Sequence, residues 1–374
     1  MKYRILYIIP SLQKGGAERL VLDICKELTK RDGVVVKLIT FTDQNEYPFL
    51  TQNIDWKIVS AKVLLSLTKK KMFFVNQLQQ SIDDFKPDVI HTHLFETELV
   101  SRSCYYPQAK WFTHCHDNMQ QFSNFSIACF INKKKLTNYF EKRYLFKRYK
   151  TNGGTHFIAI GNDTNSYFED KIYTFSISKI TNAIDFEKFY CKRVQDNSKN
   201  EIVITNTGSF VDKKNQVFVL KIAEKLLRTN TDFCVNLLGD GANRLTLQEK
   251  AKELNVDSFV FFHGNVNNVE EYLAKSDIYL HTATYEPLGL VLIEAMASGL
   301  PVITLDGKGN RDLIEEGKNG YMINSQNAEE FANKIIELWD NKATYWKMSN
   351  YAQEYAKRYD IKDYVDNLLE LYKK

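Results

Sequence analysis

The chain has 374 residues, 44% apolar and 26% charged, a length for two ordinary domains and the composition of a globular protein. A net charge of +4 gives the whole molecule no nucleic-acid-like field, and no RNA-binding motif is present, so nucleic acid is not expected as a partner. No segment reads as a membrane span, because the least charged window, Leu288–Leu305, is broken by Glu294, Gly299 and Pro301. The opening Met1–Pro10 has too short an apolar run and no small-residue cleavage site for a signal peptide. Six cysteines (Cys25, Cys104, Cys115, Cys129, Cys191, Cys234) lie apart without a C-x-x-C pair, which implies reduced thiols. Together these features predict a cytoplasmic protein.

Strand-length apolar runs alternate with helix-period segments from end to end, the pattern of βαβ units on parallel sheets. Tyr3–Ile9 reads as a buried strand, followed by the loop Ser11–Gly16 and a helix over Ala17–Lys30. Strands are expected at Val34–Phe41 and Trp56–Val59, and a helix at Met72–Phe85. Asp88–His93 and Trp111–Asp117 read as strands ending in polar loops. Lys133–Lys150 is a basic helix, Phe157–Ile160 a strand, and Ser178–Asp185 closes the first half. The polar, poorly periodic Cys191–Asn200 is the expected linker.

The second half starts afresh with a strand at Glu201–Thr207, a loop at Gly208–Asn215 and a helix at Gln216–Leu227. Phe233–Leu238 ends at Gly239-Asp240-Gly241, and the helix Leu245–Leu254 follows. Phe259–Phe262, Val269–Lys275 and Ile278–His281 read as strand, helix and strand. Helices are expected at Ala328–Trp339, Tyr345–Arg358 and Lys362–Tyr372. In doubly wound sheets ligands sit at the carboxyl ends of the strands, so function should lie in these loops.

One stretch carries most of the chemistry, Tyr285 to Thr304. Pro287 suits a helix entrance, Gly289 allows close backbone approach, Leu290–Ala297 is apolar apart from Glu294, and Gly299 and Pro301 stop the helix. Glu286 and Glu294 thus bracket the start of a buried helix whose free N–H groups favour an anion. A core helix with one satisfied carboxylate leaves Glu286-Pro287-Leu288-Gly289 unexplained.

Four other constellations stand beside it. Lys14-Gly15-Gly16-Ala17-Glu18-Arg19 is a Gly-Gly turn opening a helix, able to approach a phosphate but matching neither G-x-G-x-x-G nor a P-loop; a plain tight turn reads equally well. His91 and His93 end one strand and His114 and His116 another. With Asp117 they would make a zinc site, but no helical H-E-x-x-H exists and the cysteines do not cluster; one exposed His-Asp as a substrate contact is equally simple. Thr207–Gln216 brings Lys213 and Lys214 to a helix entrance, where a lysine serves a diphosphate or is simply solvated. From Lys133 to Lys150 there are eight Lys/Arg and one Glu, a local +7 that leaves about −3 elsewhere (4 − 7). With its interleaved aromatics this helix fits either an anionic membrane surface, at about 1 kcal/mol per cation, or a solvated face over a core.

Taken in order, Gly15–Arg19, Asp88–His93, His114–Asp117, Asn182–Asp185, Lys213–Gln216, Gly239–Gly241 and Glu286–Pro301 resemble the retaining glycosyltransferases of group 4 with the GT-B fold, which include capsule, lipopolysaccharide and teichoic-acid transferases. The likeness covers nearly the whole chain; the glutamate pair is its most specific part. It implies an α/β protein of two Rossmann-like domains facing across a cleft. Residues 1–190 would form the acceptor-side domain, with 359–374 packing back on it, and 191–358 the nucleotide-sugar domain. It also implies roles. Glu294 would bind the ribose, Glu286 the donor sugar, and the Leu288-Gly289-Leu290 backbone the phosphates. Lys214 would neutralise the diphosphate, with Gly15 and Gly16 closing over it and His116 beside the sugar, supporting charge at the anomeric carbon.

No cofactor or metal is expected, since the nucleotide sugar is a substrate and the helix end and lysine supply the electrostatics. The acceptor would be a glycan or a lipid-linked glycan, with 133–150 touching an anionic inner membrane face. One departure is Ser209, where the family usually has Arg; one lost charged hydrogen bond costs about 1.5–3 kcal/mol unless Lys213 or Arg311 replaces it. The rival readings are a non-catalytic GT-B scaffold or glycan-binding subunit, and a zinc-dependent hydrolase.

Overall fold

Along β1 (Tyr3–Ile8) successive side chains enter opposite cores: Leu6 and Ile8 join one apolar cluster, Ile5 and Tyr7 the other. A strand buried on both faces must be a near-continuous apolar run, which is how it reads in sequence. The computed structural model describes residues 2–65, 71–123, 132–172, 174–195, 199–229 and 231–374. They form two units, Met1–Ala183 with Ile361–Lys374, and Ile184–Asp360.

In the first unit β1 lies between β2 (Val34–Thr40) and β6 (Val89–His93), in a seven-stranded sheet of order β3-β2-β1-β6-β7-β8-β9. The others are β3 (Trp56–Ile58), β7 (Lys110–Cys115), β8 (His156–Ala159) and β9 (Ser176–Lys179), and every pairing is parallel. The helix Ile361–Lys373 returns to this unit and packs Tyr364, Val365, Leu368 and Tyr372 into the cluster that holds Leu20, Val21 and Ile24 of the helix Gly16–Leu28. The helix expected over Met72–Phe85 begins only at Asn76. Met72–Phe74 is instead β5, antiparallel to β4 (Lys62–Leu64), with Leu64 opposite Met72. Three consecutive bulky residues favour a pleated ribbon over a helix turn.

The second unit repeats the plan with six parallel strands in the order β12-β11-β10-β13-β14-β15. They are β10 (Ile202–Thr207), β11 (Phe233–Leu238), β12 (Val260–Gly264), β13 (Ile278–His281), β14 (Val302–Leu305) and β15 (Gly320–Ile323). The division falls at Ala183/Ile184, ahead of the expected Tyr190/Cys191. The described part of the expected linker is bound to the second unit: Arg193 donates from Nε to the Ser298 carbonyl at 2.8 Å and from Nη2 to that of Ser276 at 2.6 Å. Residues 196–198 of that linker, and Cys129, lie outside the described residues.

One polar cluster deep in the first unit holds three strands and a helix together. Arg102 is fully buried, its guanidinium 4.3 Å from the Trp111 ring centroid and 4.8 Å from that of Tyr149. It donates to Glu98 Oε1 at 2.8 Å and to the Gly154 carbonyl at 3.0 Å. Thr113 donates to the same Glu98 oxygen at 3.0 Å, and Thr92 to the other. A charge this deep is tolerated only because its partner and donors are fixed. Arg102→Met should therefore destabilise the first unit by ~3–5 kcal/mol, and adding Glu98→Gln should recover most of the loss. Urea unfolding followed by tryptophan fluorescence in a Trp339→Phe/Trp346→Phe background, which leaves Trp56 and Trp111 of the first unit, measures both; equal stability of the single variant and its parent would refute the claim.

Candidate functional site

At the carboxyl end of the second sheet, the loop after β10 meets the loop after β13. The Lys213 carbonyl accepts from the Thr284 N–H at 2.9 Å and the Lys214 carbonyl from the Thr282 hydroxyl at 3.1 Å. These bonds bring Lys214 Nζ onto Glu286 Oε2 as a direct ion pair. His281, the last residue of β13, places Nε2 3.3 Å from the same oxygen. Burial by itself would raise the Glu286 carboxyl; His281 and the Lys214 ammonium outweigh it and bring it down to about 2. Burial lowers His281 in turn, which keeps the imidazole neutral. His281 belongs to this group although its sequence marks it only as a strand end.

Glu286 is also clamped by its backbone. Its N–H donates to the Gly307 carbonyl at 2.9 Å, and its carbonyl accepts from the Gly309 N–H at 3.0 Å. A Cβ at Gly309 would stand 2.0 Å from the Pro287 carbonyl oxygen, so only glycine fits there. Gly289 turns the chain at φ +98° and caps the helix Leu290–Ala297. In that helix Leu292, Ile293, Ala295, Met296 and Ala297 are buried, whereas Leu290, Val291 and Glu294 remain partly exposed on the other side. Leu288 is buried beneath the turn. The first N–H groups of such a helix have no intrahelical acceptor. Glu294 thus shares its face with the helix entrance, as the glutamate spacing implies.

Ser209 is exposed in the loop after β10. That loop is laced to its neighbours: the Gly208 N–H donates to the Leu238 carbonyl at 2.9 Å and the Phe210 N–H to the Asp240 carbonyl at 2.8 Å. A Cβ at Gly239 would lie 2.1 Å from the Gly208 oxygen, which explains the Gly239-Asp240-Gly241 turn. Of the two cations offered as replacements for the family arginine, Arg311 is held by Asp306, with Nε 2.7 Å from Oδ1 and Nη2 on the other oxygen. Lys213 is exposed and makes no ion pair among the described residues.

In the first unit, the Gly15 N–H donates to Tyr47 Oη at 3.1 Å, and Tyr47 donates back to the Gly15 carbonyl at 3.2 Å. Glu18 folds over the turn so closely that a Cβ on Gly15 would meet its Oε2 at 2.2 Å. Burial pushes the Glu18 carboxyl up. Gly16 opens the helix Gly16–Leu28 and is exposed. The four histidines gather at the ends of β6 and β7. His93 and His114 stack at 4.7 Å, His114 and His116 at 4.4 Å, and His91 and His114 at 5.2 Å. Among the described residues, His91, His93 and His114 bring ligand atoms within 4.8 Å of one another. Their ring planes lie 18–32° apart.

Several ring nitrogens are engaged by one another or by neighbouring side chains. Tyr7 Oη and Tyr372 Oη are 2.6 Å apart, Tyr372 Oη and His91 Nδ1 2.5 Å, His91 Nε2 and His114 Nδ1 3.2 Å, and His114 Nε2 and Asn182 Oδ1 3.0 Å. Burial holds all four imidazoles below the usual histidine range. His116 is partly exposed, and its Nε2 lies 2.8 Å from His93 Nδ1.

The Glu286 ion pair has a measurable pH signature. A carboxyl that titrates near 2 in the fold against 4.5 when free stabilises the fold above pH 4.5, and that contribution disappears as the pH falls from 4.5 towards 2. The stability gap between wild type and Glu286→Gln in urea should therefore shrink by about 3 kcal/mol between pH 7 and the acid limit. A gap independent of pH would show that the carboxylate is not held this way.

Comparisons with known proteins meet this geometry. Residues 14–188 match Glycosyltransferase Family 4 and residues 191–358 match Glycosyl transferases group 1. The chain is 23% identical over 342 residues, 89% of its length, to the poly(ribitol-phosphate) alpha-N-acetylglucosaminyltransferase of Staphylococcus aureus, and spans 66% of that relative. It is 31% identical to the N-acetyl-alpha-D-glucosaminyl L-malate synthase of Bacillus anthracis over 48% of each chain. It thus covers less than two thirds of these curated relatives. Among solved structures, HepE of Anabaena in complex with UDP and glucose superposes with a TM-score of 0.78 at 21% identity, covering 99% of each chain. With both halves matched in order and the fold shared, the chain belongs to the group 1 and family 4 glycosyltransferases of the GT-B fold.

Proposed function

We propose that this protein is a retaining glycosyltransferase that moves a hexosyl group from a nucleoside diphosphate donor, UDP or GDP, to a glycan or lipid-linked acceptor in cell-surface polysaccharide synthesis. The observation that carries the reading is the buried Glu286 carboxylate, kept ionised by Lys214 and His281 beside the entrance of the helix Leu290–Ala297. A carboxylate fixed in this way accepts hydrogen bonds from sugar hydroxyls. The helix entrance and Lys214, whose ammonium has three donors, serve the diphosphate, and Glu294 serves the ribose on the same helix face. The names of the relatives support the class of reaction, and the UDP and glucose in the HepE complex support the class of donor.

In the proposed reaction the anomeric C–O bond to the diphosphate breaks and the acceptor hydroxyl forms the new bond on the same face. Its proton passes to the departing phosphate. Lys214 and the N–H groups of the helix entrance take up the charge that develops there, so no metal is needed. Roles for His116, Gly15 and Gly16 of the first unit are taken from the family resemblance alone. Ser209 brings no charge to this site, and with Arg311 engaged by Asp306, Lys213 is the cation left to assist Lys214.

The acceptor side adds a surface reading. Lys133, Lys134, Lys135, Arg143, Lys147 and Lys150 are exposed on the helix Lys133–Thr151, whereas Leu145 and Tyr149 enter the core. Phe73 of the β4–β5 ribbon stacks on Tyr144 of this helix at 5.9 Å, and Met72, Phe73 and Phe74 are exposed beside it. Apolar residues next to cations fit contact with an anionic membrane that carries the acceptor. No helix among the described residues is long and apolar enough to cross a membrane.

Release of UDP or GDP from nucleotide sugars with an undecaprenyl-linked or teichoic-type acceptor tests the reaction. Turnover should persist in EDTA, and Glu286→Gln and Lys214→Ala should each lower kcat at least ~100-fold with unchanged circular dichroism. Full activity of Glu286→Gln would overturn the assignment, and absence of turnover despite nucleotide binding in a thermal-shift screen would favour a non-catalytic member of the fold. For the surface, vesicles rich in phosphatidylglycerol should sediment the protein at low salt and release it at high salt. Equal binding to neutral vesicles would remove the electrostatic role of 133–150.

A further inference from the structure

His93 is fully buried, and its two ring nitrogens are in different situations. Nδ1 lies 2.8 Å from His116 Nε2, whereas Nε2 has no hydrogen-bond partner among the described residues. Both rings are neutral in this setting, because burial and the neighbouring imidazoles hold them below the usual histidine range. A neutral imidazole carries one N–H, so in this pair one ring donates and the other accepts. If His116 donated, His93 would have to keep its own proton on Nε2, a buried N–H with no acceptor. If His93 donates, Nε2 is left as an unused lone pair. Orphaned buried N–H groups are the rarer and costlier of the two.

We propose that His93 is a positioning residue for His116: its Nδ1–H donates to His116 Nε2 and holds that ring as the Nδ1–H tautomer. The stacking of His114, 4.7 Å from His93 and 4.4 Å from His116, fixes the planes in which this bond is made. His114 is itself set from outside the pair. If Asn182 Oδ1 accepts from His114 Nε2–H, His114 Nδ1 accepts from His91 Nε2–H, and His91 Nδ1 accepts from the Tyr372 hydroxyl. Every proton in that second chain then has an acceptor, so it makes no demand on His93 or His116.

The consequence is chemical. His116 Nδ1 has no hydrogen-bond partner among the described residues, and the residue is partly exposed. With its proton there and Nε2 committed to His93, His116 offers a ligand a donor and no free lone pair. It binds an oxygen, such as a sugar hydroxyl, and does not act as a general base. The expected effect on rate rests on the proposed transferase function; the tautomer does not.

The test is long-range 15N–1H spectroscopy of the full chain labelled at histidine, with the His116 signals assigned by their loss in His116→Gln. In wild type the His116 proton should reside on Nδ1; a proton on Nε2 overturns the proposal, and this reading needs no variant to fold. In His93→Leu the His116 proton should stay on Nδ1, since a proton on Nε2 would face Leu without an acceptor, while the Nε2 resonance should shift to that of an acceptor that has lost its donor. In His93→Asn, whose amide nitrogen can occupy the place of Nδ1, the wild-type Nε2 resonance should return, whereas His93→Gln, which places its amide near Nε2, should not restore it. An unchanged His116 Nε2 resonance in His93→Leu also overturns the proposal. In the transfer assay kcat should fall about tenfold in His93→Leu with KM for the nucleotide sugar unchanged, and recover in His93→Asn. If wild type shows no transfer, the proposed function fails while the spectra still decide the tautomer.

Discussion

A carboxylate removed from water must be given a cation, and in the second unit much of the loop structure follows from meeting that demand for Glu286. Lys214 reaches it only because the carbonyls of Lys213 and Lys214 are bonded to the segment after β13. Glu286 stays in place only because the Gly307–Gly309 loop closes over Pro287 with no side chain between them. His281 adds a neutral partner from beneath. The result is an anionic point held beside a helix entrance of opposite sign.

The first unit meets a different constraint. Four imidazoles at the ends of two adjacent strands are too deep to be charged, so each must find a partner that suits a single proton. The solution is a layer of stacked rings whose edges are bonded in two separate sets. One runs from Tyr7 through Tyr372, His91 and His114 to Asn182; the other is His93 with His116. Only His116, on the outer side of the layer, is partly open.

The sequence disclosed the strands and the glutamate helix well, because both rest on local patterns: a doubly buried strand is an apolar run, and Pro287, Gly289, Gly299 and Pro301 each have a single structural use. The family resemblance groups Lys214, Glu286 and Glu294, and the structure pairs the first two. The sequence did not disclose His281 or the Gly307–Gly309 clamp, since these depend on which strand lies beside which, information that only the sheet order supplies. Nor did the four histidines reveal by spacing whether their nitrogens converge or stack; alternation along a strand fixes the face, not the ring plane. Met72–Phe74 was misread for a related reason, its antiparallel partner being Lys62–Leu64, a segment with no strand signal of its own.

The return of Ile361–Lys373 to the first sheet bears on how the protein is made. Tyr7 and Tyr372 stand 365 positions apart, and every residue of the second unit is synthesised between them. The amino-terminal unit therefore waits on the ribosome with the groove beside Gly16–Leu28 uncovered and the Tyr7 hydroxyl unpaired, while the second unit, continuous in sequence, is free to fold first. Order of synthesis and order of completion are reversed. The helix Ile361–Lys373 closes over a sheet that opens with Tyr3–Ile8.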